Sequence, residues 1–231
     1  MDKLRRTLVA AIALAPLAVR AQSPGEASGY SALKNDLPVE TPGKIEVAEF
    51  FWYGCIHCYN LEPLLEKWVP AFPADIQFRR IPAVFNERWA HDAAIYYTFE
   101  VLGVLGKLHR PFYDAIHKDR LKSDNPAALG EWLTKNGLDV KKFDATMKSF
   151  GVQSKVRRAA QLTTASRIDG TPALMVQDRK SVVYGPSRTR YQVPLSGRTV
   201  GSTLDSNPRI AIFAFWLSAS AGFWNEPACM K

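Results

Sequence analysis

The sequence predicts an α/β fold that carries an inserted all-helical domain. An apolar run, Ile45 to Trp52, precedes a helix pattern and a second strand pattern, Ile76 to Ile81. From about Glu87 the apolar residues recur at helical spacing for roughly eighty residues. Strand character then returns at Thr171 to Val176. Strands on both sides of a long helical stretch indicate one α/β domain interrupted by a helical insertion.

The first β-α-β unit begins with a strand that should be buried on both faces. Ile45 to Trp52 is almost continuously apolar or aromatic, as strands buried on both faces are. Pro63 should kink the helix that follows, and Pro70 should end it. The core-facing residues of this helix recur at i, i+3, i+4 and i+7, and they are Leu61, Leu64, Leu65 and Trp68.

The helical insertion should contain several separate helices. Asp124-Asn125-Pro126 is a helix start, and Gly137 is the matching stop. Two further helices should follow, one between Leu138 and Phe150 and one between Val152 and Thr163. The first helix of the insertion should turn one face inward, formed by Trp89, Ala93, Tyr96, Tyr97 and Val101.

The strands after the insertion are predicted to form a hairpin. Thr171 to Val176 and Ser181 to Tyr184 flank a polar turn at Gln177 to Lys180. We therefore assign residues 44–84 and 168–185 to the α/β domain and residues 85–167 to the helical insertion.

The two ends of the chain differ from its body. Residues 1–21 have the basic start, the apolar stretch and the small residues before a cleavage point that are typical of a secretory signal. Residues 22–43 form a polar N-terminal arm. Residues 186–231 combine helix-breaking prolines and glycines with an apolar run, Ile210 to Trp224, that is too short to span a membrane comfortably. We interpret them as an atypical tail, either an altered terminus or a divergent extension.

The charge distribution argues against nucleic-acid binding. The whole chain has a net charge of +8, but residues 22–177 contain 19 basic and 18 acidic residues. The excess positive charge therefore lies at the two ends and is not gathered on a working surface of the body.

The motif Cys55-Ile56-His57-Cys58 indicates chemistry that depends on two closely spaced thiols. It lies between the first strand and its helix, and a helix N-terminus favours a thiolate because its N–H groups and dipole stabilise negative charge. The pair therefore predicts redox chemistry. An inert structural disulfide and a zinc site are the alternatives, but zinc needs two more ligands, for which the sequence offers no second close pair. We predict no metal site, and Tyr59 stands where haem attachment would need histidine.

Two motifs resemble the DsbA-type periplasmic thiol:disulfide oxidoreductases, which have a thioredoxin fold with a helical insertion. They are Glu49-Phe50-Phe51-Trp52-Tyr53-Gly54-Cys55-Ile56-His57-Cys58-Tyr59 and Gly170-Thr171-Pro172-Ala173-Leu174. The likeness spans roughly residues 45–184 and stops before the tail, where the family normally ends in a long helix.

The resemblance implies a role for each residue of the cysteine motif. Cys55 would be the attacking and attacked sulfur, exposed at the helix start, and Cys58 would be shielded one turn further on. The two would form the Cys55–Cys58 disulfide. His57 would stabilise the Cys55 thiolate when it is charged, or it would be an exposed histidine without such an effect. Ile56 replaces the commoner proline of the family and would tune the redox potential.

Three further residues take roles from the resemblance. Glu49 would be a buried carboxylate that exchanges a proton with Cys58, or it would face a pocket of solvent or pair structurally, with Arg80 as the candidate partner. Pro172 would follow a cis peptide bond and face the cysteines, and the backbone of Thr171 would bind an extended substrate.

The implied activity is the introduction of disulfides into exported, unfolded proteins that carry cysteine pairs. The resemblance implies a periplasmic location, a membrane quinone-linked re-oxidant of the DsbB type, and no cofactor. Alternatives are a disulfide isomerase or reductant of the same fold, and a non-catalytic periplasmic peptide-binding module.

The remaining cysteine and histidines receive no catalytic role. Cys229 lies in the tail and should be a free or intermolecularly paired thiol. His91, His109 and His117 have no catalytic spacing and should be surface or packing residues.

Overall fold

The structure is a computed structural model that describes residues 31–32, 38–177, 181–184 and 229–230. At 31–32, 177, 181–184 and 229–230 the description covers the backbone alone. The predicted signal segment and the apolar run from Ile210 to Trp224 lie outside the described residues.

A mixed five-stranded sheet forms the centre of the α/β part. In chain order its strands are β1 (Ser31–Ala32), β2 (Ile45–Phe51), β3 (Ile76–Pro82), β5 (Ala173–Gln177) and β6 (Ser181–Tyr184). Their spatial order is β1-β6-β5-β2-β3. β2 pairs in parallel with β3, and its other neighbour β5 is antiparallel to it. β5 and β6 form the predicted hairpin.

A second, short antiparallel pair lies at the entrance to β5. It joins β4 (Gly170–Thr171) to β7 (Cys229–Met230). Gly170 lies opposite Met230, and Thr171 lies opposite Cys229. This contact brings the end of the chain to the loop that precedes the central sheet.

Six helices lie among the described residues. α1 (Ile56–Trp68) connects β2 to β3, and a single 3-10 turn, Val69–Ala71, follows it. The insertion contributes α2 (Glu87–Val101), α3 (Leu105–His117), α4 (Pro126–Lys135), α5 (Val140–Met147) and α6 (Phe150–Ala165). The predicted α/β fold with a helical insertion is therefore confirmed.

Local side chains fix several of the helix ends. The Asn125 carboxamide accepts hydrogen bonds from the backbone N–H groups of Ala127 and Ala128, which caps α4 as its sequence predicts. Gly137 has φ of +78° just after that helix, a conformation that glycine adopts without strain. Val101 departs from its predicted inward position, because it lies in the last turn of α2 and is 51% exposed.

Both faces of β2 are covered, as its sequence predicts. Ile45 and Val47 pack against α1, whereas Ala48 and Phe50 pack on the opposite face with Trp89 of α2. At the end of the strand, Phe51 joins a third cluster formed mainly by the insertion, and this cluster also contains both cysteines of the motif. The cysteine motif therefore lies where the sheet meets the helical insertion. Among the described residues, no helix has both the length and the apolar character needed to cross a membrane.

Candidate active site

The two motif cysteines lie at the start of α1. Cys55 is the residue that precedes the helix, in an extended conformation, and its backbone N–H donates to the carbonyl of Trp52 at 3.0 Å. Cys58 lies in the first turn. Both side chains are fully buried. The expected exposure of the Cys55 sulfur is therefore wrong for this state, because the Thr171 loop and the surrounding core cluster cover it.

The cysteines are not in the same oxidation state. Cys58 is a free thiol, whereas the Cys55 sulfur belongs to a disulfide whose partner lies outside the described side chains. The predicted Cys55–Cys58 bond is therefore not formed in this structure, because a sulfur engaged elsewhere cannot also bond Cys58. One bonded and one free sulfur is the arrangement that a mixed-disulfide intermediate of thiol exchange has.

The carbonyl of Thr171, the residue before Pro172, lies beside the first cysteine. The Cys55 Sγ lies 3.4 Å from the carbonyl oxygen of Thr171, and both residues that flank the Thr171–Pro172 bond are buried. That peptide bond is cis, as the resemblance implies. The structure thus brings together two motifs that are separated by more than one hundred positions in the sequence.

The two residues between the cysteines differ in exposure. Ile56 is 44% exposed, so its side chain lies on the surface beside the motif. His57 is half-buried. An apolar surface residue next to the reacting sulfur can contact an incoming peptide.

A buried ionic cluster lies behind the cysteines and is formed by Glu49, Arg80, Glu62 and His109. The Arg80 Nε lies 3.3 Å from Glu49 Oε2, while its Nη2 donates to Glu62 Oε1 at 2.5 Å. Glu62 Oε2 lies 3.5 Å from His109 Nε2. The pairing of Glu49 with Arg80 that the sequence analysis considered is therefore present. Within the described residues, neither Glu49 oxygen accepts a well-aligned hydrogen bond.

Two members of this cluster were missed from the sequence. Glu62 does not belong to the apolar i, i+3, i+4, i+7 pattern that predicts the buried face of α1, but it is almost completely buried. Its position four residues after Cys58 was the available signal, because residues at i and i+4 share a helix face. His109 is buried, which agrees with the packing alternative of the sequence analysis but not with a surface position, and its Nδ1 lies 2.8 Å from the hydroxyl of Tyr53. No local sequence pattern connects those two residues.

Burial controls the protonation of the groups around Cys58. Burial raises the pKa of the Glu49 carboxyl to about 8, although the charge of Arg80 opposes that shift. Burial, aided by the negative charge of Glu49, also raises the pKa of the Cys58 thiol well above its usual value. Burial lowers the pKa of His109, so its ring is neutral at pH 7. Glu49 can therefore hold or release a proton near neutral pH, next to a thiol that strongly retains its own.

Glu62 behaves in the opposite way to Glu49. Burial disfavours its charged form, but the contacts with His109 and Arg80 outweigh burial and hold the pKa of Glu62 below its usual value. The cluster thus contains one carboxylate that stays ionised and one that exchanges protons. Neighbouring carboxyls with pKa values pushed apart are typical of sites that move protons.

The turn before Cys55 is shaped by Trp52 and Gly54. The indole Nε1 of Trp52 donates to Asp92 Oδ2 at 2.8 Å, and its ring stacks on Trp89 with centroids 4.3 Å apart. A methyl group on Gly54 would overlap the six-membered part of the Trp52 indole ring. Only glycine leaves room for this ring beside the cysteine motif.

The described residues were searched for clusters of side chains that could bind a metal ion. In the part of the chain that the structure describes, no group of three or more His, Cys, Asp or Glu side chains is arranged to hold a metal ion.

The sequence of the chain is similar to those of proteins named thiol:disulfide interchange protein DsbA. Thiol:disulfide interchange protein DsbA of Burkholderia cepacia is 37% identical over 192 residues, which cover 82% of this chain and 90% of that protein. The protein of the same name from Azotobacter vinelandii is 41% identical over 150 residues, covering 65% of this chain and 70% of that one.

Solved structures show the same relationship. The crystal structure of Pseudomonas aeruginosa DsbA has a TM-score of 0.63 and 36% identity, covering 68% of this chain and 80% of that one. The oxidoreductase NmDsbA1 from N. meningitidis has a TM-score of 0.60 and 26% identity, covering 84% of this chain and 94% of that one. A family model described as the DSBA-like thioredoxin domain matches residues 46–191. The chain therefore belongs to the DSBA-like thioredoxin domain family.

Proposed function

We propose that this protein is a thiol:disulfide oxidoreductase that introduces disulfides into exported proteins by exchange at Cys55 and Cys58. The observation that carries this proposal is the position of Cys55, which lies at the start of α1 with its Sγ 3.4 Å from the Thr171 carbonyl. The helix start stabilises a leaving or attacking thiolate. Relatives named thiol:disulfide interchange protein DsbA support the same activity.

The reaction begins from the oxidised enzyme with its Cys55–Cys58 disulfide. A substrate thiolate attacks the Cys55 Sγ, the bond to Cys58 breaks, and Cys58 leaves with the electron pair. Cys58 then takes up a proton, for which Glu49 is the proposed donor because its pKa is about 8. A second substrate thiolate attacks the substrate sulfur of the mixed disulfide and releases Cys55 as a thiolate. The substrate is thereby oxidised by two electrons, and the enzyme is reduced by two.

Four residues around the sulfurs are proposed to position the substrate and tune the exchange. The backbone of Thr171 would pair with an extended substrate segment, and Pro172 would hold that segment beside Cys55. Support comes from the described pairing of β4, in which a strand lies antiparallel to Gly170 and Thr171. His57 would favour the Cys55 thiolate when protonated, and the exposed Ile56 would contact the substrate.

We further propose a periplasmic location and re-oxidation by a membrane quinone-linked partner of the DsbB type. Both follow from family membership together with the predicted signal at residues 1–21. An exported enzyme that leaves its substrates oxidised must itself be re-oxidised after each turnover, which requires an electron acceptor outside this chain.

The direction of the reaction distinguishes the proposal from its alternatives. Mature protein carrying Cys229→Ser should be equilibrated in glutathione buffers, and its Cys55 and Cys58 thiols should be trapped and counted. A reduction potential of about −120 mV, as in a strongly oxidising DsbA, would support a disulfide donor. A reduction potential of about −270 mV would indicate a reductant. The same protein should oxidise a reduced dithiol peptide. Cys55→Ser should abolish that activity, and unchanged peptide binding without oxidation would favour a non-catalytic binding module.

A further inference from the structure

A segment of the chain itself occupies the strand to which we assign substrate binding. Cys229 and Met230 form β7, which pairs antiparallel with β4. In the register of this pair, Cys229 lies opposite Thr171. An extended peptide that adds a strand to an exposed edge is a common mode of peptide recognition, and its backbone supplies the binding energy.

This register places residue 229 beside the reacting sulfur. Directly opposite residues of an antiparallel pair have Cα atoms about 4.5–5.5 Å apart. The carbonyl of Thr171 is in turn 3.4 Å from Cys55 Sγ. The backbone of Cys229 therefore lies opposite Thr171, the residue of β4 whose carbonyl contacts the Cys55 sulfur.

The oxidation states of the cysteines point to the same partner. The sequence contains three cysteines. Cys58 is a free thiol, and Cys55 is part of a disulfide. Cys229 is the remaining cysteine, so two separate observations, the strand register and the thiol count, select it.

We propose that Cys229 is a built-in pseudo-substrate, which forms a reversible mixed disulfide with Cys55 and thereby keeps the active site closed. This inference rests on the proposed function, because it requires that Cys55 exchange disulfides with a peptide bound along β4. It replaces the expectation that Cys229 is a free or intermolecularly paired thiol.

The exchange needs no external oxidant. The Cys229 thiolate attacks Cys55 Sγ of the oxidised enzyme, the Cys55–Cys58 bond breaks, and Cys58 leaves as a thiolate that then takes a proton. One disulfide and one thiol are present before and after the step, so electrons and atoms balance. The step reverses when Cys58 attacks Cys55 and releases Cys229.

Two features of the site favour a long-lived closed state. The Cys58 thiol is fully buried beside the Glu49 carboxyl, and both conditions keep it protonated and therefore slow to attack. β7 also occupies the edge of β4 to which we assign substrate binding, so an external peptide pairs with β4 only after β7 has left it. A substrate must therefore displace the tail before it reacts.

Peptide mapping tests the bond directly. The purified oxidised protein, alkylated without reduction, should be digested with trypsin, which releases Ile45–Lys67 with both motif cysteines and Ile210–Lys231 with Cys229. We expect these two peptides to be joined by a disulfide and Cys58 to be alkylated. In Cys58→Ser protein equilibrated with oxidised glutathione, the same two peptides should be joined in a monomer on a non-reducing gel. A disulfide within Ile45–Lys67, or a disulfide-linked dimer, would overturn the inference.

Kinetics test the consequence for activity. A tethered tail has an effective concentration in the millimolar range, so with about 0.1 mM dithiol peptide we expect Cys229→Ser to raise the initial oxidation rate about tenfold. Val101→Ser is the control, since it introduces a serine at an exposed position of α2, outside β4, β7 and the cysteine motif, and it should retain the wild-type rate. Equal rates for wild type and Cys229→Ser would overturn the inference while leaving the proposed function intact. Absence of dithiol oxidation by Cys229→Ser would instead overturn the proposed function, and the inference with it.

Discussion

Arg80 donates from Nη2 to Oε1 of Glu62 at 2.5 Å in the interior between β3 and α1. The same guanidinium faces Glu49 at 3.3 Å, so one cation lies between two buried carboxyl groups, of which Glu62 stays ionised. Leaving a buried charge without its partner costs far more than the net stabilisation that the intact pair provides. This cluster is therefore the part of the site where single substitutions should have the largest effects.

Removal of Arg80 tests the cluster as a unit. Arg80→Met should lower the free energy of unfolding at pH 7 by about 3–5 kcal/mol, because Glu62 stays buried and ionised without its cation. Urea denaturation of both proteins measures the difference. Lys155→Met is the matched control, since Lys155 forms an exposed ion pair with Glu100, and it should cost less than about 1 kcal/mol. Equal losses in the two variants would contradict the structural role assigned to Arg80.

Glu49 should make the free energy of unfolding depend on pH, because the pKa of its carboxyl differs between the folded and the unfolded protein. The pKa of its carboxyl is about 8 in the folded protein and near its model value of 4.5 in the unfolded chain. Between those values the folded state holds a proton that the unfolded state has released, so stability falls as the pH rises. One such group contributes about 1.4 kcal/mol per pH unit.

The variant Glu49→Gln isolates this contribution because glutamine does not titrate. The difference in free energy of unfolding, Glu49→Gln minus wild type, should increase from about pH 5 to about pH 8. Its slope should be at most that of one titrating group, about 1.4 kcal/mol per pH unit. Urea titrations of both proteins at several pH values in this range measure the difference. A difference that stays constant with pH would show that Glu49 does not hold a proton in the folded state.

The hydrogen bond between Tyr53 and His109 should stabilise the contact between the cysteine turn and α3. Tyr53→Phe removes the hydroxyl and leaves the buried Nδ1 of His109 without its partner, which should cost about 1–3 kcal/mol. Tyr59→Phe is the control, because Asp114 keeps access to water and should tolerate loss of its partner at under about 1 kcal/mol. Thermal or urea unfolding distinguishes them, and a larger loss in Tyr59→Phe would argue against the buried pair.

Gly54 should tolerate no side chain beside Trp52. In Gly54→Ala the new methyl group would overlap the indole ring of Trp52, so the ring must move or the turn must open. We expect a loss of about 1–3 kcal/mol and a change in tryptophan fluorescence. Gly106→Ala is the matched control. It adds a methyl group where no atom lies within 4 Å, inside α3, and should stabilise the protein by up to about 1 kcal/mol. Equal stability of the two variants would contradict the packing described for the turn.

The sequence by itself determined the elements and the chemical motif. The apolar run of β2 predicted burial on both faces, and Asn125 before Pro126 predicted a capped helix start, because these signals act over a few residues. The spacing of Cys55 and Cys58 after a strand indicated thiol chemistry for the same reason.

Tertiary structure alone decided what surrounds those sulfurs. Glu62 followed the i+4 spacing from Cys58, but its burial depends on α3, which covers that side of α1 through His109. The pairing of Thr171 with Cys229 depends on where the chain end meets β4, and the two residues share no sequence pattern. Periodicity encodes which face of an element is buried. Which charged group or which cysteine arrives at that face is set by long-range packing, which no local pattern records.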